Sequence, residues 1–246
     1  MLFSSTNLEK NNLLNLATDI LKENYSRHFI GDKLFVADRA MGFFDDEKFT
    51  RVFKEIAKAP IYQGMAWRIH TLVWAVKSVM HLQGDLVECG VFRGFKSDFL
   101  CRYFDIDSLN KKFWLFDTFE GMCEKYSDGS PIDKAEHNKP QLYEFVQERF
   151  SNYQNVNICK GVVPDIFDVT VPERVIFLHL DMNSYLAETG ALDILWPKMP
   201  IGAVVILDDY GFYEFKAQKE NEDKWFEERG QFVLELPSGQ GLVVKR

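Results

Sequence analysis

Gly84-Asp85-Leu86-Val87-Glu88-Cys89-Gly90-Val91-Phe92-Arg93-Gly94 is the stretch on which the reading of this 246-residue chain turns. Leu86, Val87, Cys89 and Val91 form a nearly continuous apolar run, the pattern of a strand covered on both faces. From Phe95 to Tyr103 the apolar residues fall at helical spacing, so Gly90 and Gly94 sit where a strand hands over to a helix. Glycines there let the backbone approach a ligand closely, and the helix N-terminus supplies free amides. A dinucleotide-binding turn wants Gly-x-Gly-x-x-Gly. This chain has Glu-x-Gly-x-x-x-Gly, a spacing that suits a smaller ligand, and Glu88 at the strand end favours a cationic or amine-bearing one. A plain glycine turn inside an α/β domain is the alternative.

On the N-terminal side, residues 7–24 carry Leu8, Leu13, Leu16, Ala17, Ile20 and Leu21 in an amphipathic helical pattern. Such a helix caps a domain or pairs with a second subunit, and capping is the preferred reading. Residues 24–46 read as an ordered, aromatic-rich loop or lid, residues 49–56 as a helix broken at Ala59-Pro60, and residues 65–82 as the helix before the organising strand.

On the C-terminal side, strand and helix alternate. Phe113 to Phe116 is a strand ending in Asp117, about twenty residues beyond the glycine turn, where an acid accepts the hydroxyls of a ribose. Thr118 to Pro140 is a charged loop long enough to be functional or mobile. A helix follows over 142–150, then strands over 156–159, 175–180 and 203–207. Residues 232–236 and 242–245, joined by Pro237-Ser238-Gly239-Gln240-Gly241, close with a hairpin. The prediction is an α/β fold, Rossmann-like, with a mainly parallel seven-stranded-type sheet, a C-terminal antiparallel hairpin giving one antiparallel edge strand, and a helical N-terminal extension. Residues 1–62 form the cap or lid region and 63–246 the main domain. In such sheets ligands bind beyond the carboxyl ends of the strands, where Glu88, Asp117, Asp181, Asp208 and Asp209 all fall.

Bulk properties narrow the function. A net charge of -8 repels phosphates and argues against nonspecific nucleic-acid binding. No stretch reaches the ~18 apolar residues of a membrane span, and Met1-Leu2-Phe3 opens into polar residues rather than an apolar leader core. Cys89, Cys101, Cys123 and Cys159 lack Cys-x-x-Cys spacing and read as reduced thiols of a cytoplasmic protein.

The acids carry the chemistry. Asp181 and Asp208-Asp209 end two strands expected to be neighbours, and three such carboxylates repel one another unless a cation or proton intervenes. All-oxygen ligation suits Mg2+, with water or substrate oxygens completing the shell. The alternative is that Asp208-Asp209 opens a loop and caps the helix toward Lys224.

Taken together, Arg68 in a helix, the 84–94 stretch, Phe116-Asp117-Thr118-Phe119-Glu120-Gly121-Met122, Leu180-Asp181-Met182-Asn183-Ser184-Tyr185 and Asp208-Asp209-Tyr210-Gly211 resemble the macrocin O-methyltransferase family, whose members methylate sugar hydroxyls of macrolides. The similarity runs in order over roughly residues 60–230. It implies the class I S-adenosylmethionine-dependent methyltransferase fold for 63–246. It further implies that Glu88, Gly90 and Gly94 line the methionine part of S-adenosylmethionine, that Ser97 reaches its carboxylate, and that Asp117 with Phe119 holds ribose and adenine. Asp181, Asp208 and Asp209 match magnesium-binding carboxylates, in an arrangement similar to that of catechol O-methyltransferases. A homodimer or larger assembly is also implied. One departure stands out: where the family has Asp-Gly-Asp-Leu-Tyr this chain has Asp181-Met182-Asn183-Ser184-Tyr185, an amide in place of an acid.

The expected function is Mg-assisted, S-adenosylmethionine-dependent O-methylation of a hydroxyl on a sugar or other small hydroxylated metabolite. A sulfonium methyl is already electrophilic, so the protein must align it with the acceptor and manage one proton. Asp181 is the expected catalytic carboxylate through its magnesium, and His137, in the long loop, is the expected general base. His179, mid-strand, reads as a structural residue. Two alternatives stay open: a metal-dependent nucleotide-sugar glycosyltransferase, which leaves Glu88-Cys89-Gly90 unexplained, and a non-catalytic methyltransferase-like binding module.

Overall fold

The computed structural model describes residues 8–127 and 140–246; His137 lies outside them. The chain divides into two compact units, Met1–His70 and Thr71–Arg246.

In the second unit, β3 (Asp85–Cys89) lies at the centre of a seven-stranded sheet. With β4 (Phe113–Asp117), β5 (Val156–Lys160), β6 (Val175–Leu180), β7 (Val204–Leu207), β8 (Leu234–Glu235) and β9 (Gly241–Val244), the order is β5-β4-β3-β6-β7-β9-β8. The strands β5 to β7 are mutually parallel, linked through α5 (Phe95–Phe104), α6 (Leu142–Phe150) and α7 (Tyr185–Leu195). The chain first moves outward from β3 to β5, then returns to add β6 on the other side. The β3/β6 boundary is therefore the point where strand order reverses, the usual ligand crevice of such sheets.

Every residue of β6 and β7 is buried, which is why β7 reads as an unbroken apolar run and β6 as one interrupted by His179. Each fully buried Leu, Ile, Val or Phe there stabilises the fold by about 1.5–3 kcal/mol. The core continues through Phe116, Phe167, Leu192 and Leu195 to Trp225 and Phe226 of α8 (Lys216–Glu227).

The C-terminal hairpin differs from expectation in one respect. The antiparallel strand is not at the edge: β9 pairs with β7 on one side and with β8 on the other. The two-residue β8 takes the edge, with Phe232 and Leu234 exposed, so the longer strand with Val243 buried is the one placed inside.

The first unit contains α1 (Leu8–Asn24), α2 (Glu47–Ile56), α3 (Pro60–Gln63) and the start of α4 (Ala66–Val79). Residues 24–46, read as a loop or lid, contain an antiparallel hairpin of β1 (His28–Gly31) and β2 (Leu34–Ala37). Its two-residue turn is Asp32-Lys33, both at positive φ, in place of the Asn-Gly or Asp-Gly that signals such turns. Arg68 Nε clamps Asp32 Oδ2 at 2.5 Å. Asp46 caps α2 by accepting from the Phe49 N–H at 3.0 Å. In α1, Leu13, Leu16 and Ile20 are exposed.

Candidate active site

The glycine turn after β3 is built from left-handed backbone. Gly90, Phe92 and Gly94 all have positive φ within five residues. A Cβ at Gly90 would fall on the Asp181 carbonyl, and one at Gly94 would meet the Phe150 ring, so both positions need glycine for conformation and for space. The turn is held from below: Gly90 N–H donates to Phe116 O, and Asp181 N–H to Cys89 O, both at 2.9 Å.

Asp117, at the end of β4, braces this turn. Its Oδ2 accepts from the backbone N–H groups of Val91 at 2.7 Å and Phe92 at 2.8 Å, and its Oδ1 from Phe119 N–H at 2.7 Å. The residue expected on a ribose thus spends its oxygens joining two loops. Phe119, also expected at the cofactor, is buried at positive φ and packs against Tyr143 with ring centroids 5.2 Å apart.

Glu88 and Ser97 are buried beside the turn, and each leaves one atom unused. Glu88 Oε2 and Ser97 Oγ have no hydrogen-bond partner among the described residues. An unpaired buried polar atom costs about 1–3 kcal/mol. A carboxylate oxygen and a hydroxyl flanking a glycine turn fit the ammonium and carboxylate of an amino-acid ligand, and a bound cofactor of that chemistry would satisfy both.

A line of charged groups runs across the carboxyl edge. The register sets Glu88 opposite His179, and β6 beside β7 brings Asp181 next to Asp208. His179 Nδ1 lies 2.9 Å from Glu88 Oε1 and Nε2 lies 3.2 Å from Asp208 Oδ1. Burial alone would lower the imidazole pKa, but hydrogen bonds to Asp208 and Glu88 raise it to about 9. Gln240 Nε2, from the loop before β9, donates to Asp208 Oδ1 at 3.0 Å. Lys96, in the first turn of α5, sends its ammonium to Asp181 Oδ2 at 2.6 Å and also to Asp208 Oδ2. Burial pushes the Asp181 carboxyl up while Lys96 opposes that rise.

This arrangement differs from the expected set of three magnesium-binding acids. His179, Asp181 and Asp208 offer atoms within 4.8 Å of one another, while Asp209 is not in that close group. Both nitrogens of His179 face carboxylates, Asp208 Oδ1 lies within hydrogen-bond distance of two nitrogens, and both aspartates face Lys96. As arranged, these residues do not fit a divalent ion.

Asn183 stands where the related motif has an acid, and it sits at φ 56, a left-handed conformation that Asn tolerates better than most residues. The next residue, Ser184, caps α7 and donates its hydroxyl to Tyr126 O, tying the described part of the long loop to the site. Lys125 binds Asp165 Oδ2 at 2.7 Å and anchors the same loop.

Deeper in the domain, Glu188 of α7 and Glu222 of α8 form a buried carboxyl pair. Met182 N–H donates to Glu188 at 2.9 Å, and Gln218 donates to Glu222 at 3.2 Å. Burial raises both carboxyl pKa values, Glu222 to about 7 and Glu188 well above the usual carboxylate range.

Sequence reading missed Lys96 and Gln240. Gln240 leaves no pattern, and Lys96 leaves only a weak one: a cation in the first helical turn opposes the helix dipole and is mildly unfavourable unless carboxylates lie near it.

A central parallel sheet with its glycine turn at the β3/β6 switch point defines a Rossmann-like methyltransferase fold. The Macrocin-O-methyltransferase (TylF) family model matches residues 63–228, and the chain belongs to that family of O-methyltransferases. It is 32% identical over 156 residues to the 8-demethyl-8-(2,3-dimethoxy-alpha-L-rhamnosyl)-tetracenomycin-C 4'-O-methyltransferase of Streptomyces olivaceus, a match covering 58% of this chain and 60% of that relative. Against the mycinamicin III 3''-O-methyltransferase of Micromonospora griseorubida it is 29% identical over 219 residues, covering 79% and 83%. Its fold is similar to that of the O-methyltransferase NovP, with a TM-score of 0.62 and 22% identity over 79% of this chain and 87% of NovP.

Proposed function

We propose that this protein transfers a methyl group from S-adenosylmethionine to a hydroxyl oxygen of a sugar-bearing small metabolite. The observation that carries the reading is the pair of unused buried atoms, Glu88 Oε2 and Ser97 Oγ, flanking the left-handed glycine turn at the switch point. Sugar hydroxyls as the acceptor class rest on the relatives, whose names specify a rhamnosyl tetracenomycin and mycinamicin III.

S-adenosylmethionine, when bound, supplies an electrophilic sulfonium methyl. Glu88 Oε2 would accept from the amino group of its methionine part, and Ser97 Oγ would donate to its carboxylate. Gly90 and Gly94 keep the turn free of side chains, and Asp117 fixes the Val91-Phe92 and Phe119 backbones that shape the pocket. Alignment is the main contribution, because a well-oriented pair avoids much of the entropic cost of a bimolecular step. The acceptor hydroxyl loses its proton to the Asp181 carboxylate or to His137. Magnesium assistance, expected from the motif, is not carried into this reading because Lys96 and His179 occupy the carboxylates. A nucleotide-sugar glycosyltransferase has no use for the Glu88–Gly90 turn and is not favoured.

The test is incubation with methyl-labelled S-adenosylmethionine and a panel of rhamnosylated macrolide and aromatic aglycones. Transfer of label to a sugar oxygen is expected, with Asp181→Asn and His137→Ala separating the two bases. Label transfer only to carbon or nitrogen acceptors would refute O-methylation.

A further inference from the structure

We propose that Lys96 is the resident cation of the Asp181–Asp208 cluster and that no divalent metal binds there. Resting on the methyltransferase reading, this assigns the acceptor side of the site a fixed ammonium where the sequence motif led us to expect a magnesium ion.

Four contacts carry it. Lys96 Nζ is 2.6 Å from Asp181 Oδ2 and bonded to Asp208 Oδ2, with its side chain only 11% exposed. Asp208 Oδ1 is taken by Gln240 Nε2 and by His179 Nε2. His179 is itself held on its other nitrogen by Glu88 Oε1, so both ring nitrogens already face carboxylates. Lys96 is the second residue of α5, whose N-cap is Gly94, and from there its ammonium reaches the ends of β6 and β7. A dication arriving at the same oxygens would meet an ammonium it must expel. Asn183 in place of an acid removes a further anionic ligand that could reward the exchange.

Lys96 acts as a positioning residue. It holds two carboxylates that would otherwise repel each other, so Asp181 keeps one orientation at the crevice.

The test uses the full chain, stripped with chelator and saturated with S-adenosylhomocysteine, titrated with Mn2+ alone, a probe that shares the oxygen preference of Mg2+. Free Mn2+ is read by its paramagnetic resonance signal. Wild type is expected to bind Mn2+ no tighter than about 1 mM, and Lys96→Met at least about 100-fold tighter. Adding Asp208→Asn to Lys96→Met should abolish the gain, and Lys96→Arg should show none. Circular dichroism and retained S-adenosylhomocysteine binding certify the fold of each variant. Wild-type Mn2+ binding in the micromolar range that Asp208→Asn removes would overturn the proposal, as would a folded Lys96→Met variant with no gain. Should Lys96→Met fail to fold, the wild-type titration decides alone: micromolar binding overturns the proposal, and absence of binding, matched by Lys96→Arg, supports it. Failure of S-adenosylhomocysteine to bind counts against the methyltransferase reading, while the Mn2+ titration without it still decides the question of the resident cation.

Discussion

Replacing His179 with glutamine probes the buried ionic line directly. Folding raises the imidazole pKa from 6.5 to about 9, against burial, through Asp208 and Glu88. At about 1.4 kcal/mol per pKa unit, this corresponds to about 3 kcal/mol. Because the folded state holds the proton more tightly than the unfolded chain, that stabilisation is complete below about pH 6.5 and is lost as the pH rises toward about 9. His179→Gln abolishes the titration and leaves two buried carboxylates facing a neutral amide, a loss of about 3–5 kcal/mol near neutrality. For a chain of this size each kcal/mol moves Tm by about 2–4 °C, so the variant should melt roughly 6–20 °C lower. Urea unfolding of both proteins between about pH 6 and pH 9.5 measures the difference, which should narrow by about 3 kcal/mol across that range. A gap that is constant with pH, or smaller than about 1 kcal/mol, would refute the assignment of a buried imidazolium.

Glu222→Gln should act in the opposite direction. The Glu222 pKa is raised by burial to about 7, so wild-type stability falls as pH rises from about 4.5 to about 7; the variant should equal wild type at the acid end and exceed it by about 1–3 kcal/mol at pH 8, read by thermal melts. Gly90→Ala should lose at least about 2 kcal/mol of stability and most cofactor affinity, because the φ of 90° and the Asp181 carbonyl both exclude a methyl group; denaturant unfolding with a ligand titration checks this. Lys96→Met should leave Asp181 and Asp208 in mutual repulsion, raising the pH at which the site deprotonates, visible by carboxylate infrared difference spectra.

The parallel sheet was legible because its central strands, β3, β6 and β7, are buried on both faces and so appear as largely apolar runs between helical periods. The acids at strand ends were legible for a related reason: neighbouring strands of one sheet bring their carboxyl ends together, which is how Asp181 meets Asp208. What escaped the sequence depended on tertiary reach. Lys96 lies 85 residues from Asp181 and 112 from Asp208, and no local pattern says which way its stem runs. The ordering of β8 and β9 is a choice between two hairpin arms that alternation alone does not decide. Asp32-Lys33 adopts a turn usually built on glycine, so the hairpin it makes read as loop. Asp117 also accepts from three backbone amides that only the folded turn supplies, contacts with no signal in the sequence.

The most direct measurement is isothermal titration of the protein with S-adenosylhomocysteine, beside Glu88→Gln and Asp117→Ala. Binding in the micromolar range is expected, weakened by about tenfold or more in both variants as the amine acceptor or the brace of the turn is lost. No binding by the wild-type protein, with or without added magnesium, would contradict the assignment of this crevice to S-adenosylmethionine.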